Sequence, residues 1–482
     1  MSRDRTVINL LGITTIVVYA VIVTGAALGS TRPTSSCSSW PFCTTDTTSL
    51  LAGGDLLVLT HRGLTVIAGM LLLALVVLTL KSSLTRSATL PIYTGAALFP
   101  VQIAVGAAVV YSQSATVSQF HLGIAVAIFI TLLFALGKAL GDSTTTDPTP
   151  QRSKSPSPDS TEPSACTEPT TAAEPASVYS HPDSTSHSAP GLRTRLRAYL
   201  ELTKPRLMWL LCFLALAGIA LATTTGTSVD GVTILATLTG GILAIGASGT
   251  FNHAIEFERD KKMNRTADRP IATAQVSRRN ATLFGLSLLV LSLTVIWLFV
   301  NPLATVLTFL AIIYYSVIYT VVLKPNTTWN IAIGGGAGAL PAVIGWAAVT
   351  GDIGLPAVTL AAVVVIWTPA HFYNLAIVYH DDYARAGYPM YSVVKGIPAT
   401  RQRILTTLGG TLLVTAVLAA VSPLGWLFAL SVVFGGALFL ATVIVQFRTR
   451  TLQATLRSFH ASNAYLGIVL AAIIIEALVL IP

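Results

Sequence analysis

Residues 281–300 read ATLFGLSLLVLSLTVIWLFV and residues 302–322 read PLATVLTFLAIIYYSVIYTVV, with only Asn301 between them and no Asp, Glu, Lys or Arg in either. A helix needs about 20 apolar residues to cross a hydrocarbon core about 30 Å thick. Each run therefore has the length of one membrane crossing, and together they point to an all-α integral membrane protein. Composition agrees: of 482 residues, 53% are apolar and 10% charged, and mean hydropathy is +0.72. A soluble globular chain carries about a quarter charged residues. The deficit excludes an ordinary cytosolic enzyme, a disordered scaffold and a nucleic-acid-binding module, despite the net charge of +9.

Comparable runs place four spans before residue 141, near 8–29, 57–80, 88–111 and 119–140. Nine more follow, near 207–224, 232–252, 281–300, 302–322, 329–350, 355–378, 404–421, 424–446 and 460–480. The first run follows Arg3 and Arg5 as a signal peptide would, but it extends for about twenty residues without a clear small-residue cleavage site, and it reads as a retained transmembrane helix. Residues 141–191 are rich in Pro, Ser and Thr. Such a segment cannot bury enough surface to fold. The expected architecture is thus a four-helix bundle over 1–140, a disordered linker over 141–191 and a nine-helix bundle over 192–482. Basic residues orient the spans. With a cytoplasmic N-terminus, every Lys and Arg except Arg32 and Arg62 falls on the cytoplasmic side, which predicts a multi-pass cell-membrane protein whose C-terminus lies outside. That rule holds for most multi-span proteins and carries no chemistry.

Charge gathers in two segments predicted to share the cytoplasmic face. The first, residues 252–270, reads NHAIEFERDKKMNRTADRP, and the second, residues 367–390, reads WTPAHFYNLAIVYHDDYARAGYPM. Asn252, Glu256 and Asp260 are spaced by four, which on a helix aligns three oxygen ligands on one face. Mg2+ takes oxygens of this kind from one or two carboxylates, with substrate phosphates completing its shell. Asp381 and Asp382 supply a second acidic patch, and two facing patches can hold a diphosphate through metal ions. The bland alternative is a solvated loop of ion-paired charges. A transporter also uses carboxylates, but here the acids crowd onto one face while the mid-span regions are nearly free of charge; Glu476, close to the outer end of the last span, reads as an interfacial acid. A diphosphate leaves readily only when its developing charge is stabilised by metals and cations, and an allylic one would then ionise inside a greasy, water-poor bundle.

These residues carry a resemblance. Asn252, Glu256, Asp260, Met263, Arg265, Thr266, Arg269 and Pro270 resemble the first motif of the UbiA-type intramembrane prenyltransferases. LTKPR (202–206), YTVVLK (319–324), GALPAVIGW (338–346), HFYNLAI (371–377) and DDYARAGYPM (381–390) resemble more narrowly the protoheme IX farnesyltransferases, or heme O synthases. The resemblance covers residues 192–482 and implies transfer of farnesyl from farnesyl diphosphate to a vinyl group of heme B, with water adding at the neighbouring carbon. It implies that Asn252, Glu256 and Asp260 bind one Mg2+ and that Asp382 with Asp381 binds a second. Lys324, Arg265 and Arg269 would clamp the diphosphate, and His371 and Tyr388 would contact it or the heme. His253 stands where quinone-type members carry Asp, and Asp381–Asp382 replaces their spaced pair, which favours heme over a quinone precursor. Asn374 replaces a small residue expected in the heme-type motif. The alternatives are prenylation of a quinone precursor and non-catalytic heme handling.

In the first four spans, His61 and His121 open the second and fourth near the outer leaflet, where they could ligate one heme iron or simply cap their helices. HRGLTVIAG (61–69), PVQIAVGAAVV (100–110), QFHLGIA (119–125) and CSSWPFC (37–43) resemble the N-terminal half of heme A synthase over residues 7–140. That resemblance implies heme B bound by His61 and His121, and partners such as heme A synthase, a terminal-oxidase assembly or a second copy of the chain. Val58 stands where that family carries Glu, so formation of heme A is not implied. Cys37 and Cys43 fall in an outer loop, where a disulfide can persist.

Overall fold

The computed structural model describes residues 2–31, 53–112, 114–142 and 191–480, and all its regular structure is helical among those residues. Thirteen helices there are long and apolar enough to cross a membrane. The first four are α1 (Ser2–Thr31), α2 (Gly53–Thr79), α3 (Arg86–Ser112) and α4 (Ala115–Asp142). A short amphipathic helix, α5 (Leu192–Leu202), precedes α6 (Pro205–Thr223), α7 (Gly231–Asp260), α8 (Arg278–Phe299) and α9 (Pro302–Asn326). Then come α10 (Asn330–Thr350), α11 (Leu355–Val378), the short α12 (His380–Arg385), α13 (Tyr391–Val421), α14 (Trp426–Thr449) and α15 (Leu452–Leu480). The chain is a multi-pass membrane protein. Cys37, Cys43 and most of the expected linker lie outside the described residues.

Helix starts follow local chemistry. Asp230 caps α7 by accepting from Thr233 N at 2.7 Å, and Asn301 caps α9 by accepting from Ala304 N at 2.8 Å ahead of Pro302. These caps satisfy amides that have no partner within their own helix. Glu476 performs the same service across helices: its two oxygens accept from Gly425 N at 2.7 Å and Phe428 N at 2.9 Å, at the start of α14. It is a buried cap, not an interfacial acid.

Lipid tails are as apolar as leucine, so helices in a bilayer associate by close packing of small residues. The α6–α10 contact is the clearest case. A Cβ at Gly218 would stand 2.2 Å from the Ala342 carbonyl oxygen, and one at Gly345 would stand 2.0 Å from that of Ala215. Any side chain there would drive the two backbones apart.

The four N-terminal helices dock on this bundle through a continuous buried core in which Leu11, Tyr19 and Leu132 join Leu408, Leu412, Phe439 and Tyr465. Gln402 Nε2 donates to the Gly137 carbonyl at 2.8 Å and Arg448 Nη2 donates to Asn9 Oδ1 at 2.7 Å. The two parts are therefore in direct contact, and not only joined through residues 141–191.

Candidate active site

The first acidic segment is helical as far as Asp260 and turns after it. Helix α7 runs 30 residues, about 45 Å at 1.5 Å per residue, longer than the hydrocarbon core. Its last turns carry Asn252, Glu256 and Asp260 on one face, all buried. Buried carboxylates need partners, and each has a cation from elsewhere in the chain. Lys324 Nζ donates to Glu256 Oε1 at 2.6 Å. Arg269 Nη1 reaches both oxygens of Asp260, at 2.9 and 2.8 Å. The Thr266 hydroxyl donates to the Asp260 carbonyl at 2.9 Å and folds the segment that returns Arg269.

Lys204 completes this group and was not singled out as a site residue from sequence. It precedes Pro205 at the start of α6 with φ of 56°, a left-handed conformation that costs a non-glycine residue about 1–2 kcal/mol. Strain of that kind persists where surrounding contacts hold it. Its Nζ donates to Asn252 Oδ1 and, at 3.2 Å, to the Tyr315 hydroxyl. Burial pulls the Lys204 pKa below the usual 10.5, and it feels the charges of Arg269, Glu256 and Lys324. Three cations and two carboxylates thus converge.

Helix α9 reaches this group by widening. Residues Tyr314–Leu323 form a π-helical turn in which the Thr320 hydroxyl donates to the Tyr315 carbonyl at 2.8 Å. The wider turn brings Tyr315, Thr320 and Lys324 to the same face, opposite α7. Asn252 Nδ2 donates to Thr320 Oγ1 at 3.2 Å. Such turns are frequent at functional sites.

The second acidic segment meets the first, with its two aspartates doing different things. Asp382 is buried and accepts from the backbone amides of Asn264 at 3.2 Å and Arg265 at 3.1 Å, while pairing with Arg385. Asp382, expected as a metal ligand, ties α12 to the turn after α7 through both its oxygens. Asp381 is exposed and lines a cleft of about 530 Å3 with Asn264, Arg265, Tyr379 and Arg385. The Arg265 guanidinium lies 4.8 Å over the Tyr379 ring. Tyr388 is covered on its faces by Lys324 at 4.6 Å and Arg259 at 4.8 Å, and burial pushes its pKa up to about 12. Among the described residues, no three His, Cys, Asp or Glu side chains converge as a ready metal cage.

The family model for UbiA prenyltransferases matches residues 211–467. The chain belongs to the UbiA prenyltransferase family. The protoheme IX farnesyltransferase of Haloarcula marismortui is 45% identical to it over 494 residues, covering 100% of both chains. Protoheme IX farnesyltransferase 2 of Natronomonas pharaonis is 65% identical over 285 residues, or 59% of this chain and 66% of that protein. Among solved structures, a digeranylgeranylglyceryl phosphate synthase superposes with a TM-score of 0.50 at 15% identity, over 59% of this chain and 99% of that one. At that identity the likeness is one of fold.

Not every expected residue joins the cluster of this UbiA prenyltransferase. His371 lies on α11 against α15, stacked on Trp367 and Phe459 and 2.7 Å from Ser462 Oγ. Asn374 is buried beside it on α11, with Nδ2 donating to the Ala370 carbonyl at 2.9 Å. In the N-terminal part, His61 Nδ1 lies 3.1 Å from the Val21 carbonyl and 3.2 Å from Thr24 Oγ1, while Gln102 Nε2 lies 3.2 Å from His121 Nε2. Each imidazole packs on a glycine: His61 Cε1 is 3.0 Å from where a Gly25 Cβ would be, and His121 Cε1 is 2.8 Å from that of Gly106.

Proposed function

We propose that this membrane prenyltransferase converts heme B to heme O by transferring farnesyl from farnesyl diphosphate to a heme vinyl group. The observation that carries the reading is the convergence of Lys204, Lys324 and Arg269 on Glu256 and Asp260 under the α12 turn. Relatives named protoheme IX farnesyltransferase support the acceptor.

The reaction breaks the C1–O bond of the allylic diphosphate, and the electron pair leaves with the diphosphate. The vinyl π pair bonds to C1, the neighbouring carbon takes the positive charge, and water adds there and releases a proton. Lys204, Lys324 and Arg269 offset the charge developing on the leaving group, in a site where water screens little. Tyr315 and Thr320 hold Lys204 and Asn252 in place, and Asp382 holds the α12 turn against residues 264–265.

The donor set fits Mg2+, since Asn252, Glu256 and Asp260 offer oxygens one turn apart and Asp381 is open to the cleft; these residues would hold it. Mg2+ keeps several positions for water and substrate phosphate, consistent with carboxylates that rest on cations otherwise. When bound, it supplies further neutralisation of the departing diphosphate.

The N-terminal helices have a second role in this reading, binding heme between His61 and His121. His61 Nδ1 donates to the Val21 carbonyl, which leaves Nε2 with its lone pair, the arrangement found in metal-binding histidines. The cytoplasmic face carries the α7 end and α12, as the basic residues indicate. Mass spectrometry of hemes from cells expressing the chain and its Asp260→Ala variant tests the main reading. Heme O is expected with the first and not the second; a prenylated quinone precursor in place of heme O would overturn it.

A further inference from the structure

His371 sits in the last third of α11 with its ring clamped. Trp367 and Phe459 stack on its two faces at centroid distances of 4.4 Å each, with interplanar angles of 13° and 26°. Trp367 Nε1 donates to the Ser462 carbonyl at 2.9 Å and pins the stack to α15. The ring cannot turn without breaking this arrangement.

Hydrogen bonding then assigns the tautomer. The Ser462 hydroxyl has one proton and donates it to the Phe459 carbonyl at 2.6 Å. The same oxygen is 2.7 Å from His371 Nδ1, so it accepts there and Nδ1 carries the imidazole proton. Nε2 is left with its lone pair and has no hydrogen-bond partner among the described residues. It is not fully enclosed, and the residue keeps 6% of its surface accessible. A nitrogen that offers a lone pair cannot donate to a diphosphate oxygen, so of the two contacts expected for His371 the heme is the one this tautomer suits.

The geometry points to His371 Nε2 as the axial ligand of the iron in the acceptor porphyrin. A neutral imidazole whose Nδ1–H is fixed to an oxygen acceptor is the form that binds metals, and it brings no charge into the bilayer. Position argues the same way. His371 is seven residues before the end of α11 at Val378, about 10 Å of helical rise, and the chain turns at Tyr379 before reaching Asp381. That is too far for a base touching C1 beside the diphosphate. It suits a group at the porphyrin centre, because half a porphyrin and the C1–diphosphate linkage lie between iron and leaving group. The assignment rests on heme B being the acceptor.

Two variants of the purified full-length chain test it, each assayed for heme O synthesis and for the ferric heme B spectrum without farnesyl diphosphate. His371→Ala should raise KM for heme B by at least about tenfold with a smaller change in kcat, lose the histidine-ligated spectrum of one heme equivalent, and recover both with added imidazole. Ser462→Ala keeps the ring but frees Nδ1, and should shift that spectrum while heme O is still made. Unchanged KM and spectrum in His371→Ala, or an unchanged spectrum in Ser462→Ala, would overturn the assignment while leaving heme O synthesis intact. A wild-type chain that prenylates no heme would instead sink the reading of the acceptor.

Discussion

The transferase helices and the N-terminal helices hold their polar side chains by different means. Around the end of α7, Glu256, Asp260 and Asp382 are each matched by Lys or Arg, and Asn252 is held by Lys204. In α1–α4, among the described residues, His61 and His121 are held by neutral groups, Thr24, a carbonyl and Gln102, and their rings lie against glycines. The first arrangement concentrates charge where a polyanion must be held and parted. The second brings no charged partner to either imidazole among the described residues. Changes to the first should therefore cost far more activity than changes to the second.

The largest effect is expected from Asp260→Ala, which strands Arg269 and removes a carboxylate that would hold Mg2+. Losing metal stabilisation of the departing diphosphate is worth several kcal/mol, so heme O formation should fall by more than about a hundredfold, read by mass spectrometry of extracted hemes. Lys204→Met comes next, removing one of three cations, with KM for farnesyl diphosphate expected to rise about tenfold or more. The pH dependence sharpens this. Because burial lowers the Lys204 pKa from 10.5, its charge is lost as pH rises through a value below 10.5. An alkaline rise in KM follows, and Lys204→Arg should move it to higher pH in the same steady-state assay.

Glu476→Ala tests a purely structural acid. It should destabilise the fold by about 1.5–3 kcal/mol for each bond to Gly425 and Phe428 lost, visible as a lower thermal midpoint in detergent, with kcat of the folded fraction unchanged. The smallest effect on heme O is expected from His61→Ala, which should remove heme bound to the N-terminal helices, seen by absorbance, while synthesis continues. Synthesis lost in parallel with that heme would show that the two regions act as one site.

Much of this was legible before any coordinates. Helix α11 occupies 355–378, the bounds read from its apolar run, because in a bilayer hydrophobic length and helix length coincide. That logic stops at the membrane surface. The run of α7 was read as ending near residue 252, yet the helix continues to Asp260, since charged residues form helix readily and here their partners come from α9 and the following turn. Spacing by four gave the shared face of Asn252, Glu256 and Asp260. It could not give Lys204, whose importance depends on a left-handed residue meeting a helix 48 positions later. Nor could it divide Asp381 from Asp382, which are adjacent in sequence but separated by which one meets the amides of residues 264 and 265.

The most direct test is heme B, farnesyl diphosphate and Mg2+ incubated with the full-length chain in lipid nanodiscs, following released pyrophosphate and heme mass together. The account predicts equal amounts of pyrophosphate and heme O, with both lost on adding a chelator or in Asp260→Ala. Undiminished heme O from that variant, or with the chelator present, would contradict it.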